Sequence, residues 1–237
     1  LRKSSEYLKW YKQKHKAIKN IKKSIYSLPE IYREKIKNYQ ILACPGCYPT
    51  SVLIPLIPLI QNKIVKSTNI IIDSKSGYSG AGRGVHIKHK KNNLYESLSA
   101  YGVFNHRHSA EIQQEIDSIS NKKVNFVFTP HLSPMFRGIL STIYIDLNKN
   151  INASQVTKYL KKYYEKEHFI KFAKPNTPIS TNDVINTNFC KISINKGVYK
   201  NKIIILSAID NLIKGGAGQA VQNLNLKFNF PKNHALI

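Results

Sequence analysis

An α/β fold built on a mixed sheet is predicted by three observations. Apolar runs of strand length recur at 69–73, 124–128, 138–147 and 202–208, and helical patterns lie between them at 109–119, 153–166 and 217–227. The two kinds alternate without the regular βαβ rhythm of a purely parallel sheet, which points to an α+β or mixed arrangement. A hydrophobic share of 42% with 10% aromatics in 237 residues supplies a core and excludes a disordered tail.

Residues 3–40 read as one or two lysine-laced helices, with Ile18, Ile21 and Ile25 at helical spacing and Pro29 as punctuation. Gln40-Ile41-Leu42-Ala43 is a short apolar run that stops at Cys44-Pro45-Gly46-Cys47. Pro49 then sits where a first helical turn tolerates proline, and an apolar segment runs on to Ile64. Pro55 and Pro58 are expected to kink or break that helix, since each removes a backbone donor. The longest apolar run, Val52 to Ile60, carries both prolines and is too short to span a membrane. Asn69 to Asp73 reads as a buried strand feeding a glycine-rich loop over 76–84. No internal repeat is visible.

The net charge of +24 comes from 32 Lys and only 5 Arg, beside 32 Ile and 23 Asn. These three abundant residues share A/T-rich codons, so base composition accounts for the excess as well as a ligand does. The lysines are also spread along the chain, whereas nucleic-acid binding asks for clustered cations interleaved with aromatic platforms. Lys9-Trp10-Tyr11-Lys12 is the one hint of that pattern, and a solvated basic helix face is the favoured reading. The amino end lacks the apolar core of a secretory signal, and three cysteines make no disulfide framework. A reducing, cytoplasmic setting is the expectation.

Four blocks carry candidate chemistry. Cys44-Pro45-Gly46-Cys47 admits a redox or half-zinc reading, a buried structural cysteine, or a strand–turn–helix that presents Cys47 as a nucleophile. In the last reading Gly46 permits the sharp turn, and the helix start lowers the thiol pKa and offers N–H groups to an oxyanion. His106-Arg107-His108, just ahead of a helix, joins a possible acid/base to an anion clamp; His-x-His with CxxC could also form a zinc set, but without the usual paired spacing. Arg137, in Thr129 to Leu140, is a second anion candidate. In Asp210 to Ala220, small residues at a helix start allow a ligand or neighbouring backbone to approach.

These residues resemble the N-acetyl-gamma-glutamyl-phosphate reductase family over almost the whole chain. The anchors are PGCYPT at 45–50, DSKSGYSGAGRG at 73–84, YGVFNHRHSAEI at 101–112, TPHLSPMFRGIL at 129–140 and DNLIKGGAGQAVQNLN at 210–225. The resemblance implies an NADP(H)-dependent enzyme of arginine biosynthesis, in which the Cys47 thiolate displaces phosphate from an acyl phosphate and the thioester is then reduced to the semialdehyde. It implies a fold of the semialdehyde and glyceraldehyde-phosphate dehydrogenase type and a homo-oligomer, dimer or tetramer, with neither nucleic acid, membrane nor metal as partner. It places acid/base work on His106 or His108, substrate contacts on Arg2, Tyr101, Arg107 and Arg137, and nicotinamide-end contacts on Ser79, Gly80 and Asn211. An aspartate-semialdehyde-type dehydrogenase and a non-catalytic remnant of the reductase are the alternatives.

The family begins with a dinucleotide-binding half bearing a glycine fingerprint, which this sequence lacks. Residues 1–48 are therefore expected to be the tail of a truncated NADP-binding Rossmann domain, 49–208 the catalytic and dimerisation domain, and 209–237 a helix returning to the nucleotide domain. On its own the polypeptide is expected to bind NADPH poorly or not at all. Smaller departures are Cys44, which opens a Cys44–Cys47 disulfide as an oxidation hazard, Ala110 for the family's Pro, and Gly216 for its Ala.

Overall fold

The computed structural model describes residues 1–81, 96–148, 151–199 and 201–236. Its centre is a seven-stranded mixed sheet in the order β4-β5-β3-β6-β9-β8-β7. The strands are β3 (Ile70–Gly77), β4 (Ser99–Ala100), β5 (Phe126–Ser133), β6 (Ile139–Asp146), β7 (Ile170–Phe172), β8 (Cys190–Lys196) and β9 (Lys202–Ile209). β3 runs parallel to β5 but antiparallel to β6, and β6, β9 and β8 continue antiparallel before β7 closes with a parallel pair. The mixed sheet that the irregular alternation predicts is present.

One face of the sheet is covered by three helices, α4 (Cys47–Gln61), α5 (His108–Ser120) and α6 (Ala153–Tyr163). α4 is apolar on every side and buried from Tyr48 through Ile60, as expected of a helix with no solvent-facing stripe. It beds closely on the sheet because small hydroxyls meet there: Ser51 Oγ and Ser74 Oγ each lie 2.7 Å from Ser141 Oγ. On the opposite face, alternate side chains remain half-open, with Ile71 and Val127 exposed at 48% and 46%.

The expected break at Pro55 and Pro58 does not occur; α4 runs unbroken to Gln61. Pro58 cannot donate to the carbonyl of Ile54, four residues earlier, but that carbonyl accepts a hydrogen bond from the buried Tyr164 hydroxyl instead. The helix is held by a tyrosine that enters from the end of α6.

The amino-terminal stretch also departs from the one-or-two-helix reading. It holds α1 (Ser4–Tyr11), α2 (Ile18–Ile21) and α3 (Pro29–Ile36), with the strand β1 (Ser24–Tyr26) between the last two. β1 pairs in parallel with β2 (Ile41–Ala43), apart from the main sheet. The final helix, α7 (Gly218–Lys227), returns to this pair with a face of amides: Asn223 Nδ2 donates to the Ser27 carbonyl and Gln222 Nε2 to Glu30 Oε1. A five-residue π turn, Ile213–Ala217, leads into α7.

Candidate active site

Cys47 is the first residue of α4, with Gly46 in extended conformation as its N-cap. A side chain at 46 would displace the His108 ring, because its Cβ would lie 2.3 Å from His108 Nε2. The imidazole of His108 therefore rests against the turn that presents the cysteine. Behind the turn, Glu111 Oε2 accepts the Gly46 N–H and the Tyr26 hydroxyl, each at 3.0 Å. Glu111 Oε1 lies 3.9 Å from His108 Nε2, beyond hydrogen-bond reach, and His108 Nδ1 is buried without a partner.

His106 lies beside it, the ring centroids 4.8 Å apart, edge-on to Tyr48, Tyr101 and Phe128. Its Nδ1 accepts the His108 backbone N–H at 3.2 Å, so the neutral ring carries its proton on Nε2. Tyr101 donates to Tyr48 Oη at 3.2 Å, and Tyr48 donates to the His131 carbonyl at 3.0 Å. The fourth wall is the π turn, where a Cβ on Gly215 would lie 2.6 Å from Cys47 Cβ. Glycine alone lets that backbone close over the cysteine.

Burial dominates the protonation states. It pushes the Cys47 thiol up to about 11, against the smaller opposing pull of the Tyr48 and Cys47 backbone N–H groups, and the Glu111 carboxylate adds to the rise. The N–H groups of the helix start pull the thiol down as expected, but desolvation outweighs them. Burial also brings both imidazoles down to about 4, helped at His106 by His108 and Arg107 and at His108 by Arg107. At neutral pH the site holds a protonated thiol beside two neutral imidazoles.

A second cluster adjoins the first through the 210–215 turn, whose ends are tied by the Gly215 N–H to the Asp210 carbonyl at 2.9 Å. Asn211 Oδ1 accepts the Gly138 N–H at 2.6 Å, and Asn211 Nδ2 donates to Ser79 Oγ at 3.0 Å. Gly80 packs on the sheet, where a Cβ would meet Ser76 Oγ at 2.7 Å. Ser79, Gly80 and Asn211 thus converge, and the second amide hydrogen of Asn211 and the Ser79 hydroxyl suit a carboxamide such as nicotinamide's. Among the described residues the pair β1–β2 is the only two-stranded fragment apart from the main sheet. Gly82, Arg83 and Gly84 of the same loop lie outside the described residues.

The arginines separate. Arg137 joins the second cluster: its Nη1 bonds Asn186 Oδ1 at 2.5 Å and Asp210 Oδ2 at 3.3 Å, with the guanidinium over Phe136. Arg2 instead forks onto the buried Glu115, two bonds of 2.9 Å, beside the Tyr32 hydroxyl. It lines a cleft of about 760 Å³ that also holds Trp10, Phe104 and Gln113, with Phe128 as the wall shared with His106. Arg107 precedes α5, its guanidinium over the ring of Tyr11.

Sequence reasoning gave no role to Glu111 and Asp210, whereas it read the small residues of 210–220 as allowing close approach, which Gly215 makes to Cys47. Glu111 follows His108 by three residues, one helical turn, which was the available signal. Asp210 is fully buried and accepts four contacts: Leu212 N–H at 2.8 Å, Ile213 N–H at 3.2 Å, Asn186 N–H at 2.8 Å and Arg137. Among the described residues no group of three or more His, Cys, Asp or Glu side chains is placed to hold a metal ion, and no helix is long and apolar enough to cross a membrane.

Residues 47–211 match the family model described as semialdehyde dehydrogenase, dimerisation domain. The chain is 46% identical over 230 residues to the N-acetyl-gamma-glutamyl-phosphate reductase of Desulforamulus reducens, covering 97% of this chain and 66% of that protein. It is 43% identical over its full length to the probable chloroplastic N-acetyl-gamma-glutamyl-phosphate reductase of Arabidopsis thaliana, spanning 59% of that protein. Among solved structures, aspartate semialdehyde dehydrogenase II of Vibrio cholerae superposes with a TM-score of 0.70 over 90% of this chain and 70% of its own, at 17% identity. That last likeness is one of fold.

Proposed function

Because the chain belongs to the semialdehyde dehydrogenase family, in its N-acetyl-gamma-glutamyl-phosphate reductase branch, we propose that it forms the catalytic and subunit-pairing portion of an enzyme reducing N-acetyl-glutamyl 5-phosphate to N-acetylglutamate 5-semialdehyde. The chain spans about two thirds of the length of the bacterial relative named above. In this reading residues 1–48 and 209–237 belong with a nucleotide-binding portion and residues 49–208 form the catalytic and dimerisation domain, with Cys47 at the junction.

The observation that carries the mechanism is the His108 ring lodged in the space that Gly46 leaves beside Cys47. A neutral imidazole there can take the thiol proton as the sulfur attacks the acyl carbonyl. His108 is the better base, since its Nδ1 is unpartnered whereas that of His106 already accepts a backbone N–H. The carbonyl oxygen gains charge in the attack, and the backbone N–H groups opening α4 are the donors at hand. The C–O bond to phosphate breaks, phosphate leaves, and a thioester remains on Cys47. NADPH, when bound, supplies the hydride, with its nicotinamide carboxamide at Ser79, Gly80 and Asn211. His108 holds the proton that balances release of the aldehyde and returns the thiol. Arg137, fixed by Asp210, serves as an anion clamp, and Arg107 and Tyr101 complete the substrate side. The Arg2 guanidinium, spent on Glu115, acts by holding α5.

The open sheet face supports subunit pairing, with a second copy covering Ile71, Val127 and their neighbours. A free thiol at the centre of the reaction suits a reducing compartment. The decisive assay joins the nucleotide-binding portion of a full-length relative ahead of Leu1 and follows phosphate-dependent NADP+ reduction with N-acetylglutamate semialdehyde. Cys47→Ala is expected to abolish turnover, and His108→Asn to lower kcat on the order of 100-fold or more. Full activity in Cys47→Ala would defeat the mechanism.

A further inference from the structure

The π turn over Cys47 departs from a regular helix. It is five residues long and leaves helical geometry at Gly216, with φ −152° and ψ −112°. Its backbone bonds include Gly215 N–H to the Asp210 carbonyl and Ala217 N–H to the Leu212 carbonyl, each 2.9 Å, and Gly218 N–H to the Ile213 carbonyl. Yet it brings Gly215 close enough to Cys47 to leave no room for a methyl group.

In the middle of the turn stands Lys214, fully buried, which is rare for a lysine. Its ammonium pairs with the equally buried Glu30 of α3 and donates to Gln222 Oε1 of α7 at 2.7 Å, with the Phe169 ring 5.8 Å from Nζ. Gln222 closes the ring by donating to Glu30 Oε1 at 2.8 Å, and Asn188 Nδ2 donates to Gln222 Oε1 at 3.0 Å. The ammonium thus fastens the turn to elements that arise from opposite ends of the chain. Nothing in the proposed chemistry uses this charge.

We propose that Lys214 is a positioning residue for the nucleophile: anchored by Glu30 and Gln222, it holds the π turn so that the Gly215 backbone forms the wall against Cys47. The inference rests on Cys47 as the nucleophile for its meaning, but it concerns the wall, and thiol chemistry reads the wall without substrate or cofactor. Cys47 is partly exposed as it stands; removing the anchor lets the turn lift, opens the sulfur further to water, and relieves the burial that raises its pKa. The groups that face Cys47 are Glu111 and His108 from α5, Tyr48 on α4 and Tyr101 from the loop before α5. None of them is altered by the change. Lys214 and Glu30 also cancel each other, so deleting both charges leaves the net field at the sulfur nearly as it was.

The test is Lys214→Met combined with Glu30→Gln, with iodoacetamide as the probe and peptide-resolved mass spectrometry from pH 7 to 11. Cys44 serves as the exposed reference and the fully buried Cys190 as the reporter of global opening. The expected result is Cys47 alkylation at pH 8 about tenfold faster or more, with the rate-versus-pH midpoint lowered by about a unit or more from that of the unaltered chain. Cys190 stays protected. A purely structural glue would lower the unfolding temperature and leave that midpoint in place. Cys47 reactivity within about twofold of the unaltered chain, with Cys190 protected, overturns the proposal. If Cys190 reacts as fast as Cys47, Gly215→Ala decides, since it leaves the ion pair intact and presses a methyl on Cys47. A lowered midpoint there supports the wall, and an unchanged one overturns it. Loss of turnover in Cys47→Ala bears on the proposed reaction alone, and persistence of turnover there would leave the alkylation result standing.

Discussion

The site joins a thiol that keeps its proton to two imidazoles that lack theirs, and one cause, burial, accounts for both. The pH dependence follows in sign. Folded His106 and His108 bind protons only near pH 4, whereas the unfolded chain binds them near the ordinary imidazole value of 6.5. Between those values the unfolded state takes up more protons, so the stability from this pair is complete above 6.5 and drains away as pH falls through 4. The unfolding temperature is expected to drop steadily across that window, and His108→Phe to flatten the slope; a variant with the original slope would remove His108 as its source. Gly46 gives a second expectation at this scale. An alanine there drives a methyl into His108 Nε2, so the ring must swing away while Cys47 stays on its helix. Steady-state kinetics of the reconstituted enzyme should show kcat lowered on the order of 100-fold with KM little changed. A loss confined to KM would show that the ring does not serve the chemistry.

Among the elements, α4 shows how a rule-breaking segment is tolerated. Its prolines are adverse in isolation, and the compensation comes from Tyr164, 110 residues away, which takes the carbonyl that Pro58 leaves open. Tyr164→Phe should therefore destabilise by about 1–3 kcal/mol, the cost of a buried unpaired carbonyl. Urea unfolding measures this, and a change near zero would mean that water or another donor reaches Ile54. Such long-range partners were not legible in the sequence, which is why the break was expected. β8 escaped notice for a different reason. Its apolar positions, Cys190, Ile192 and Ile194, alternate with Lys191, Ser193 and Asn195, and in so lysine- and asparagine-rich a chain that contrast is weak. The strands at 124–128, 138–147 and 202–208 were legible because isoleucine and phenylalanine dominate them. In the site, Cys47, His106 and His108 were legible because each lies in one short block with its local turn. The commitment of Arg2 to Glu115 was not, since 113 residues separate the pair.

At the scale of the whole molecule, the charge of +24 has little part in the site; among the described residues Arg2, Arg33, Arg137 and the buried Lys214 pair with Glu115, Glu167, Asp210 and Glu30. Aromatic rings in the basic amino-terminal stretch are engaged internally, Tyr7 stacked on Tyr11 and Tyr11 beneath Arg107. The open sheet face is the broader feature. Ile71→Lys with Val127→Lys is expected to convert the associated chain to monomer in sedimentation velocity without unfolding it, because both positions already face outward. Sedimentation unchanged from the parent would place the pairing surface elsewhere. The stitching of α7 to the amino-terminal unit also sets an order in time. Ser27 bonds Asn223 across 196 residues and Lys214 bonds Glu30 across 184. A ribosome adding about 5–20 residues per second exposes the amino-terminal unit well before its last helix emerges. Through that interval Glu30 lacks Lys214 and Cys47 lacks the Gly215 wall, so the nascent chain carries the Cys47 sulfur without that cover until residues 213–217 have emerged.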